Sequence, residues 1–265
     1  MEFCAQHWQG IENIVHTREV QINKLGRNAV MLPLLCEAQS RAGDSALFVE
    51  VGSSIGLSLL WPWLTAQYST GSRIDGCFSE GRVVCDCRIA GNPTLPLSGI
   101  GPKPVRLVGI EVDSLSADNE DDVAWLRALV APNDDFGRSE LERGLELLSQ
   151  HRPEILAGCV LDRLEDVIAA MPANQPLIVY HCMTLLHLIE ADKLAAWRRL
   201  LRQVAHSRPV VEAYVAWEEG SPSATLWPVE VRIREWHRSG QDSELVGWTD
   251  PSADGSLLQF REKRP

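Results

Sequence analysis

At 265 residues, with 45% hydrophobic and 23% charged residues, the chain has the length and composition of a folded globular protein. Its net charge of −11 argues against nucleic acid and anionic membrane as partners, because binding to phosphates needs a concentrated basic surface. The first residues do not resemble a secretion signal and no apolar run reaches the length of a membrane span, so a single cytoplasmic domain over residues 1–265 is predicted.

The N-terminal part, residues 1–45, is predicted to be a helical lead-in. Apolar residues recur at roughly helical spacing over residues 18–40, and Pro33 is expected to kink or divide that helix. The apolar run that begins at Leu47 is typical of a strand buried on both faces.

The most informative stretch is FVEVGSSIGLSLL at residues 48–60. It predicts a strand that carries Glu50, a turn at Gly52, and a helix that Gly56 opens. Many α/β proteins use this arrangement to bring backbone amides close to an adenosine-type ligand. The spacing is GxxxG and not GxGxxG, with Ser54 where a further glycine would strengthen the pattern. A tight strand-to-helix connection without a ligand is therefore the alternative.

Residues 68–104 are rich in Gly, Ser, Pro and Cys and are predicted to be an insertion that contains a hairpin, with one strand over residues 82–89. Cys85 and Cys87 form a C-x-C pattern within that strand, but no second Cys/His pair stands at zinc-site spacing. We therefore expect two small side chains on one strand face, no metal site, and seven cysteines that are all reduced thiols.

The rest of the chain alternates between strands and helices. A strand over residues 105–113 precedes an acidic helix start at residues 118–122 and an amphipathic helix over residues 138–150. Further segments are strands at 154–157, 176–181 and 209–217 and helices at 161–170 and 191–206. This alternation predicts an α/β fold with a doubly wound, mostly parallel, Rossmann-like sheet. Residues 224–236 and 244–248 predict an antiparallel C-terminal hairpin that closes the sheet edge.

Ligands of doubly wound sheets bind beyond the carboxyl ends of the strands, so polar residues at those ends are site candidates. They are Glu50, Gly52, Glu111, Asp113, Gly158, Cys159, His181, Cys182, Glu218 and Glu219. An acid at the end of the second strand can accept two hydrogen bonds from a ribose diol. Glu111 is the first choice for this role and Asp113 the second.

His181 ends a strongly apolar strand and is a candidate general base or a group that holds a substrate carboxylate. The alternative is a histidine satisfied by a backbone carbonyl. Cys182 is interpreted as a small buried thiol, because nothing nearby would lower its pKa. A serine hydrolase is disfavoured by the absence of a GxSxG elbow. Trp61 and Trp63, which flank Pro62, are candidates for an apolar lid or for packing.

The chain resembles the bacterial family known as domain of unknown function 2332, which is grouped with class I S-adenosylmethionine-dependent methyltransferase folds. The pieces that carry the resemblance run in order from about Arg18 to the C-terminus. They are VQINKLGR (20–27), VEVGSSIGLSLL (49–60), VGIEVDSLSADNEDDVAWLRALVAP (108–132), ILAGCVLDRLEDVI (155–168) and VYHCMTLLHL (179–188). The resemblance implies a cofactor pocket at the glycine turn, a ribose contact from Glu111, and a His181 that faces the active-site mouth.

On this basis the candidate catalytic residue is His181. The candidate cofactor-binding residues are Glu50, Gly52, Ser53, Gly56, Glu111 and Cys159. The chain also departs from the family pattern, because Cys159 stands where members carry an acid and Lys24 where they carry a glutamate. PSADG at residues 251–255 replaces a histidine-containing motif.

Three functions are therefore weighed. The first is an S-adenosylmethionine-dependent methyltransferase that acts on a small molecule by positioning and direct displacement. The second is a binding or assembly module that keeps the fold without catalysis. The third, a nicotinamide-dependent oxidoreductase, is disfavoured by the incomplete dinucleotide turn.

Overall fold

The computed structural model describes residues 2–184, 191–216, 229–250 and 255–261. Its helices are α1 (Glu2–Gln6), α2 (Trp8–Thr17), α3 (Arg27–Ala42), α4 (Glu120–Leu129), α5 (Asp135–His151), α6 (Val160–Ala169) and α7 (Ala191–Val204). A 3₁₀ helix covers Leu57–Trp63. The strands are β1 (Leu47–Val51), β2 (Thr65–Tyr68), β3 (Arg73–Asp75), β4 (Val84–Ala90), β5 (Gly99–Ile100), β6 (Arg106–Glu111), β7 (Glu154–Ala157), β8 (Leu177–Cys182), β9 (Val210–Ala216), β10 (Val229–His237), β11 (Gly240–Thr249) and β12 (Leu257–Phe260).

These strands form one sheet in the order β5-β3-β2-β4-β12-β11-β10-β9-β8-β1-β6-β7. The segment β7-β6-β1-β8-β9 is parallel throughout, with β1 between β6 and β8. The strand order reverses between β1 and β8, which is the switch point of a doubly wound sheet. The predicted α/β class and the mostly parallel sheet are therefore confirmed.

Helices cover both faces of the parallel segment, which explains why its strands are apolar. On one face Phe48, Ile178 and Val211 pack with α3, α5 and the 3₁₀ helix. On the other face Val49 and Val179 pack with α6 and α7. All five residues of β1 are buried, so the strand lies at the centre of the molecule.

Helix α3 begins at Arg27, later than predicted, and Pro33 does not divide it. Proline has no backbone N–H, so the carbonyl of Ala29, four residues earlier, loses its helical donor. The hydroxyl of Tyr68 donates to that carbonyl instead, at 3.0 Å. This substitute hydrogen bond, contributed from β2, is a physical reason why the helix continues through the proline.

Two further local features bear on expectations from the sequence. Gly56 does precede a helix, with a left-handed φ of 99°, but the helix is of the 3₁₀ type and contains Pro62. The acidic start of α4 behaves as predicted, because the Asn119 side chain accepts hydrogen bonds from the amides of Asp121 and Asp122 at the helix N-terminus.

The region at residues 68–104 extends the sheet. Strands β2 and β3 form an antiparallel pair, and β4 runs parallel to both of its neighbours, β2 and β12. The strand predicted at residues 82–89 is therefore present as β4, but it has parallel partners and is not one arm of a hairpin. Cys85 and Cys87 are both buried on one face of β4, as expected.

The C-terminal hairpin is real but does not close the sheet. Strands β10 and β11 are antiparallel neighbours, and β12, which sequence patterns did not predict, pairs with β11 and continues the sheet to β4. The hairpin lies inside the sheet because β12 pairs with the side of β11 that would otherwise be an exposed edge.

Candidate functional site

A crevice opens at the switch point, beyond the carboxyl ends of β1 and β8. We call it the switch-point crevice. Its lining residues are Ile22, Asn23, Lys24, Arg27, Glu50, Gly52, Ser53, Ser54, Leu57, Ser58 and Cys182. This is the place where ligands of doubly wound sheets bind, so the sheet topology and the cavity agree on one location.

The glycine turn is held against the neighbouring strand. The amide of Gly52 donates to the carbonyl of Ile110 at 2.9 Å, and Gly52 has a left-handed φ of 78°. Ser54 is also left-handed, with a φ of 50°, although it is not glycine. The turn therefore holds a serine in a conformation that glycine usually supplies.

Close contact between the turn and β6 depends on Gly109. A Cβ atom at this position would lie 2.5 Å from the Oγ of Ser53 and 2.8 Å from Leu59. Gly109 pairs with Glu50 across the β1–β6 ladder. The absent side chain at Gly109 thus makes room for the turn beside β6.

Glu111 lies directly against the glycine turn. Its Oε2 accepts a hydrogen bond from the Ser54 amide at 2.7 Å, and its Oε1 accepts from the amides of Val112 at 2.8 Å and Asp113 at 3.3 Å. A carboxylate has about four acceptor positions, so these three bonds leave room for a further donor. The two parts of the predicted nucleoside site are therefore adjacent in space.

Glu50 lies beneath the turn and is 2% exposed. Burial raises the pKa of its carboxyl to about 8, and the negative charge of Glu111 adds to this, whereas a hydrogen bond with Ser58 and the positive charge of Arg27 oppose it. The Glu50 Oε2 and the Ser53 Oγ are buried without a hydrogen-bond partner among the described residues. The crevice thus contains two polar atoms that a ligand or a water molecule could satisfy.

The crevice is covered by residues 18–24, which we call the cover segment. Asn23 Nδ2 donates to the Ser54 Oγ at 2.9 Å, and Gln21 also contacts that hydroxyl. Lys24 pairs with Asp134 at 3.3 Å. With the segment in place the cavity measures about 20 Å³, which is room for about one water molecule.

Thr184 closes the crevice from the β8 side. Its hydroxyl donates to the carbonyl of Val51 at 2.9 Å, and its side chain occupies the position that a Cβ atom on Gly52 would need. The glycine at position 52 is therefore required by Thr184 as well as by the turn.

His181 does not face the crevice, and that expectation is wrong. The residue is fully buried and lies on the α7 face of the sheet, whereas Glu50 lies on the α3 face. Neighbouring positions on a strand point to opposite faces, and Val51 pairs with His181 across the β1–β8 ladder. The partner of its Nε2 is Glu212 Oε1, at 3.2 Å.

Glu212 is the centre of a buried polar network. Its two oxygens also accept hydrogen bonds from Trp197 at 3.0 Å, from Arg234 at 3.1 Å and from Trp236 at 3.2 Å. Burial alone would raise the pKa of Glu212, but the hydrogen bond from His181 and the charge of Arg234 outweigh it and lower the pKa. This network satisfies His181 at Nε2 and gives it a structural role.

Several candidates lie outside the crevice lining, and Glu111 is one of them, although its carboxylate reaches the Ser54 amide. Gly56 is positioned against the side chains of Pro153 and Ile155, and Cys159 is exposed at the N-terminus of α6. Trp61 is fully buried and donates to the Tyr180 hydroxyl at 3.2 Å, so it packs in the core and is not a lid. Glu218 and Glu219 lie outside the described residues.

Sequence reasoning missed the residues that close the crevice. Asn23 and Arg27 belong to the VQINKLGR stretch, which was recognised but given no role, and Ser58 follows the turn by a few residues. Their polar side chains beside apolar neighbours were the available signal.

Burial raises the pKa of the Cys182 thiol, in keeping with its interpretation as an unreactive buried residue.

Within the described ranges, no group of three or more His, Cys, Asp or Glu side chains is placed to hold a metal ion. No described helix has both the length and the apolar character that a membrane crossing requires.

Solved structures with similar folds include the bifunctional kinase-methyltransferase WbdD, which is 15% identical with a TM-score of 0.35. The match covers 76% of this chain and 31% of WbdD. A cyclopropane-fatty-acyl-phospholipid synthase-like protein from Lactobacillus casei ATCC 334 is 14% identical with a TM-score of 0.33, over 74% of this chain and 52% of that protein. Similarity at this level carries no information about activity.

No curated protein matches the chain. The family model described as "Uncharacterized protein conserved in bacteria (DUF2332)" matches residues 1–254 and so extends further towards the N-terminus than the resemblance from Arg18. The match covers nearly the whole sequence. The chain therefore belongs to the bacterial DUF2332 family.

Proposed function

We propose that the switch-point crevice binds S-adenosylmethionine and that the protein transfers its methyl group to a small molecule. The observation that carries this proposal is the contact between the Glu111 carboxylate and the Ser54 amide at the switch point, beside two unpartnered buried oxygens of Glu50 and Ser53. An acid against a glycine turn at this position is suited to a ribose.

The residues of the crevice fit such a ligand chemically. Glu111, beside the crevice, would accept one further hydrogen bond, from a ribose hydroxyl. The carboxylate of Glu50, once ionised, would attract the positively charged methionine part of S-adenosylmethionine. Its Oε2, which has no partner among the described residues, would then gain a hydrogen-bond donor. The bound cofactor would supply a methyl group activated by a sulfonium. The chain would contribute position and exclusion of water, which are sufficient for direct displacement.

The crevice does not fit the ligand by volume while the cover segment is closed. A cavity of about 20 Å³ is far below the 300–1,000 Å³ typical of small-molecule sites. The segment is attached to the turn through Asn23 and Gln21, which are side chains on an irregular stretch between α2 and α3. We propose that these side chains leave Ser54 when the ligand enters.

The test is isothermal titration with S-adenosylhomocysteine of the wild type, Glu111→Gln and Glu165→Gln. Loss of one charge-assisted contact should weaken binding by roughly tenfold to a hundredfold in Glu111→Gln. Glu165→Gln makes the same substitution at an exposed position on α6 and should bind like the wild type. Saturable binding that Glu111→Gln leaves unchanged would place the ligand elsewhere.

The second candidate is a binding or assembly module that keeps the fold without the cofactor. The closed crevice and the Thr184 side chain over Gly52 favour it. Under this alternative one buried water satisfies Glu50 and Ser53, and S-adenosylhomocysteine neither produces heat nor raises the melting temperature. Heat of binding or a raised melting temperature with S-adenosylhomocysteine would exclude this second candidate.

A further inference from the structure

A second, larger cavity lies at the other end of the parallel strands. It measures about 380 Å³ and its lining includes Arg41, Arg208, Val210, Glu235, Trp236 and Arg238. Val210 pairs with Leu177 at the start of β8, and Leu177 pairs with Leu47 at the start of β1. The cavity is therefore at the amino ends of these strands, whereas the switch-point crevice is at their carboxyl ends.

Arg41 lies among three carboxylates in one wall of this cavity. Its guanidinium contacts Glu37 at 2.8 Å, Glu235 at 3.3 Å and Glu244 at 2.6 Å. His237, which also lines the cavity, contacts Asp242 at 3.3 Å. Because acids outnumber the guanidinium here, this wall does not attract a further anion.

Arg208 differs from Arg41 because no carboxylate in the described part of the chain pairs with it. Its Nε and Nη1 are buried and have no hydrogen-bond acceptor among the described residues. Leaving charged donors desolvated and unsatisfied is costly, so a native structure supplies them with an acceptor. Arg208 also lines the cavity, so an anion held there would lie beside this guanidinium.

Arg238 adds a second positive charge on the open side. Its Nη2 donates to the carbonyl of His206 at 2.8 Å, which fixes the side chain without neutralising it. Two arginines without a carboxylate partner in the described part of the chain therefore face one cavity, although the protein carries a net charge of −11.

The remaining walls are apolar. Trp236 is 3% exposed and lies over the guanidinium of Arg234 at 5.5 Å, which holds the indole in place, and Pro209 and Val210 complete the apolar side. A pocket of this volume with an apolar wall and a few convergent polar groups has the character of a small-molecule site.

We propose that this cavity binds a small organic anion, a carboxylate or phosphate monoester with a compact apolar body. The anionic group bonds to Arg208 and Arg238, and the apolar body packs on Trp236. Guanidinium groups suit carboxylate and phosphate equally in geometry, so the shared chemistry defines the ligand class. This site is separate from the proposed cofactor site, because the two cavities lie at opposite ends of the parallel strands.

The experiment is calorimetric titration of the wild type with phenyl phosphate and with benzoate, each compared with phenol. We expect saturable binding of at least one anion at millimolar concentration and none of phenol, and the tighter anion identifies the preferred head group. Inorganic phosphate should bind more weakly than phenyl phosphate, because it has no apolar body to bury. Absence of saturable binding by both aromatic anions would overturn the proposal.

Variants locate the site. Arg208→Gln should weaken binding by roughly tenfold to a hundredfold, and Arg238→Gln, whose side chain is exposed, should weaken it in the same direction without affecting the fold. Arg202→Gln removes the same charge from an exposed position on α7 and should bind like the wild type. Equal affinity in all three variants would show that the anion binds elsewhere. Saturating S-adenosylhomocysteine should not displace phenyl phosphate, so this result stands or falls independently of the cofactor site.

Discussion

At the scale of single residues, two buried acids have opposite relations to pH. Glu50 has a pKa of about 8, raised from 4.5 mainly by burial, while Glu212 has a pKa lowered by His181 and Arg234. The folded protein therefore favours the neutral carboxyl form of Glu50 and the ionised carboxylate form of Glu212. The two residues lie on opposite faces of the sheet.

The first prediction concerns Glu50→Gln. A carboxyl whose folded pKa is raised binds its proton more tightly in the folded state, so its ionisation removes stability as pH rises from about 4.5 to about 8. Over that range the wild type should lose on the order of 1.4 kcal/mol per pH unit relative to the variant. Urea unfolding at several pH values measures this, and parallel stability curves for both proteins would contradict the pKa assignment.

The second prediction concerns Glu212→Gln. The amide keeps the shape but places an N–H₂ group against two donors and leaves Arg234 without its counter-charge. Removing one partner of a buried ion pair costs about 3–5 kcal/mol. Glu142→Gln breaks an exposed pair with Arg127 and should cost less than about 1 kcal/mol. Similar unfolding midpoints for the two variants would refute the structural role given to this network.

The pH dependence of Glu212 has the opposite sign to that of Glu50. A depressed folded pKa contributes stability that is present above the ordinary value of 4.5 and is lost as pH falls through the lower folded pKa. Relative to Glu212→Gln, the wild type should therefore lose stability only in acid, below about pH 4.5.

At the scale of elements, the cover segment determines access to the switch-point crevice. It is held at several points, with Arg18 on Asp122 at 2.5 Å, Gln21 on the Asp113 carbonyl at 2.8 Å and Asn23 on Ser54 at 2.9 Å. These bonds stabilise the closed form. A ligand that binds only the open form loses affinity, because part of its binding free energy is used to break these bonds.

The third prediction follows for Asn23→Ala. Loss of one neutral hydrogen bond, typically about 0.5–1.5 kcal/mol, should shift the segment towards the open form and tighten S-adenosylhomocysteine binding by up to roughly tenfold. Thr17→Ala removes an exposed hydrogen bond on α2, away from the crevice, and serves as the control. Weaker binding by Asn23→Ala would mean that Asn23 contacts the ligand and does not act as a latch.

At the scale of the whole molecule, local patterns predicted the parallel segment well because its strands are apolar and alternate with helices. They missed β12, a short strand that continues the sheet by pairing with β4, about 170 residues earlier in the chain. They predicted a helix after Gly56 but not its 3₁₀ type, which Pro62 and the tight turn favour. Long-range pairing decides the place of β12, and one sequence does not show it.

Strand-end position also has limited value for placing side chains around the crevice. Glu50, near the end of β1, lines the crevice, and Glu111, at the end of the neighbouring strand β6, contacts the glycine turn. His181 also ends a strand, but the sheet face on which it lies depends on the pairing of Val51 with His181 and on the alternation of side chains across that pairing. Without the register, a strand-end residue cannot be assigned to the crevice or to the core behind it.

Backbone hydrogen exchange with and without S-adenosylhomocysteine tests the central claim most directly, because it locates binding along the chain. We predict slower exchange in peptides that cover residues 50–58 and 109–113, faster exchange over residues 18–24, which open when the ligand enters, and unchanged exchange around residues 204–211 at the amino ends of the strands. If the nucleoside in large excess leaves exchange unchanged at these three segments, or changes it only elsewhere, the switch-point crevice is not its binding site.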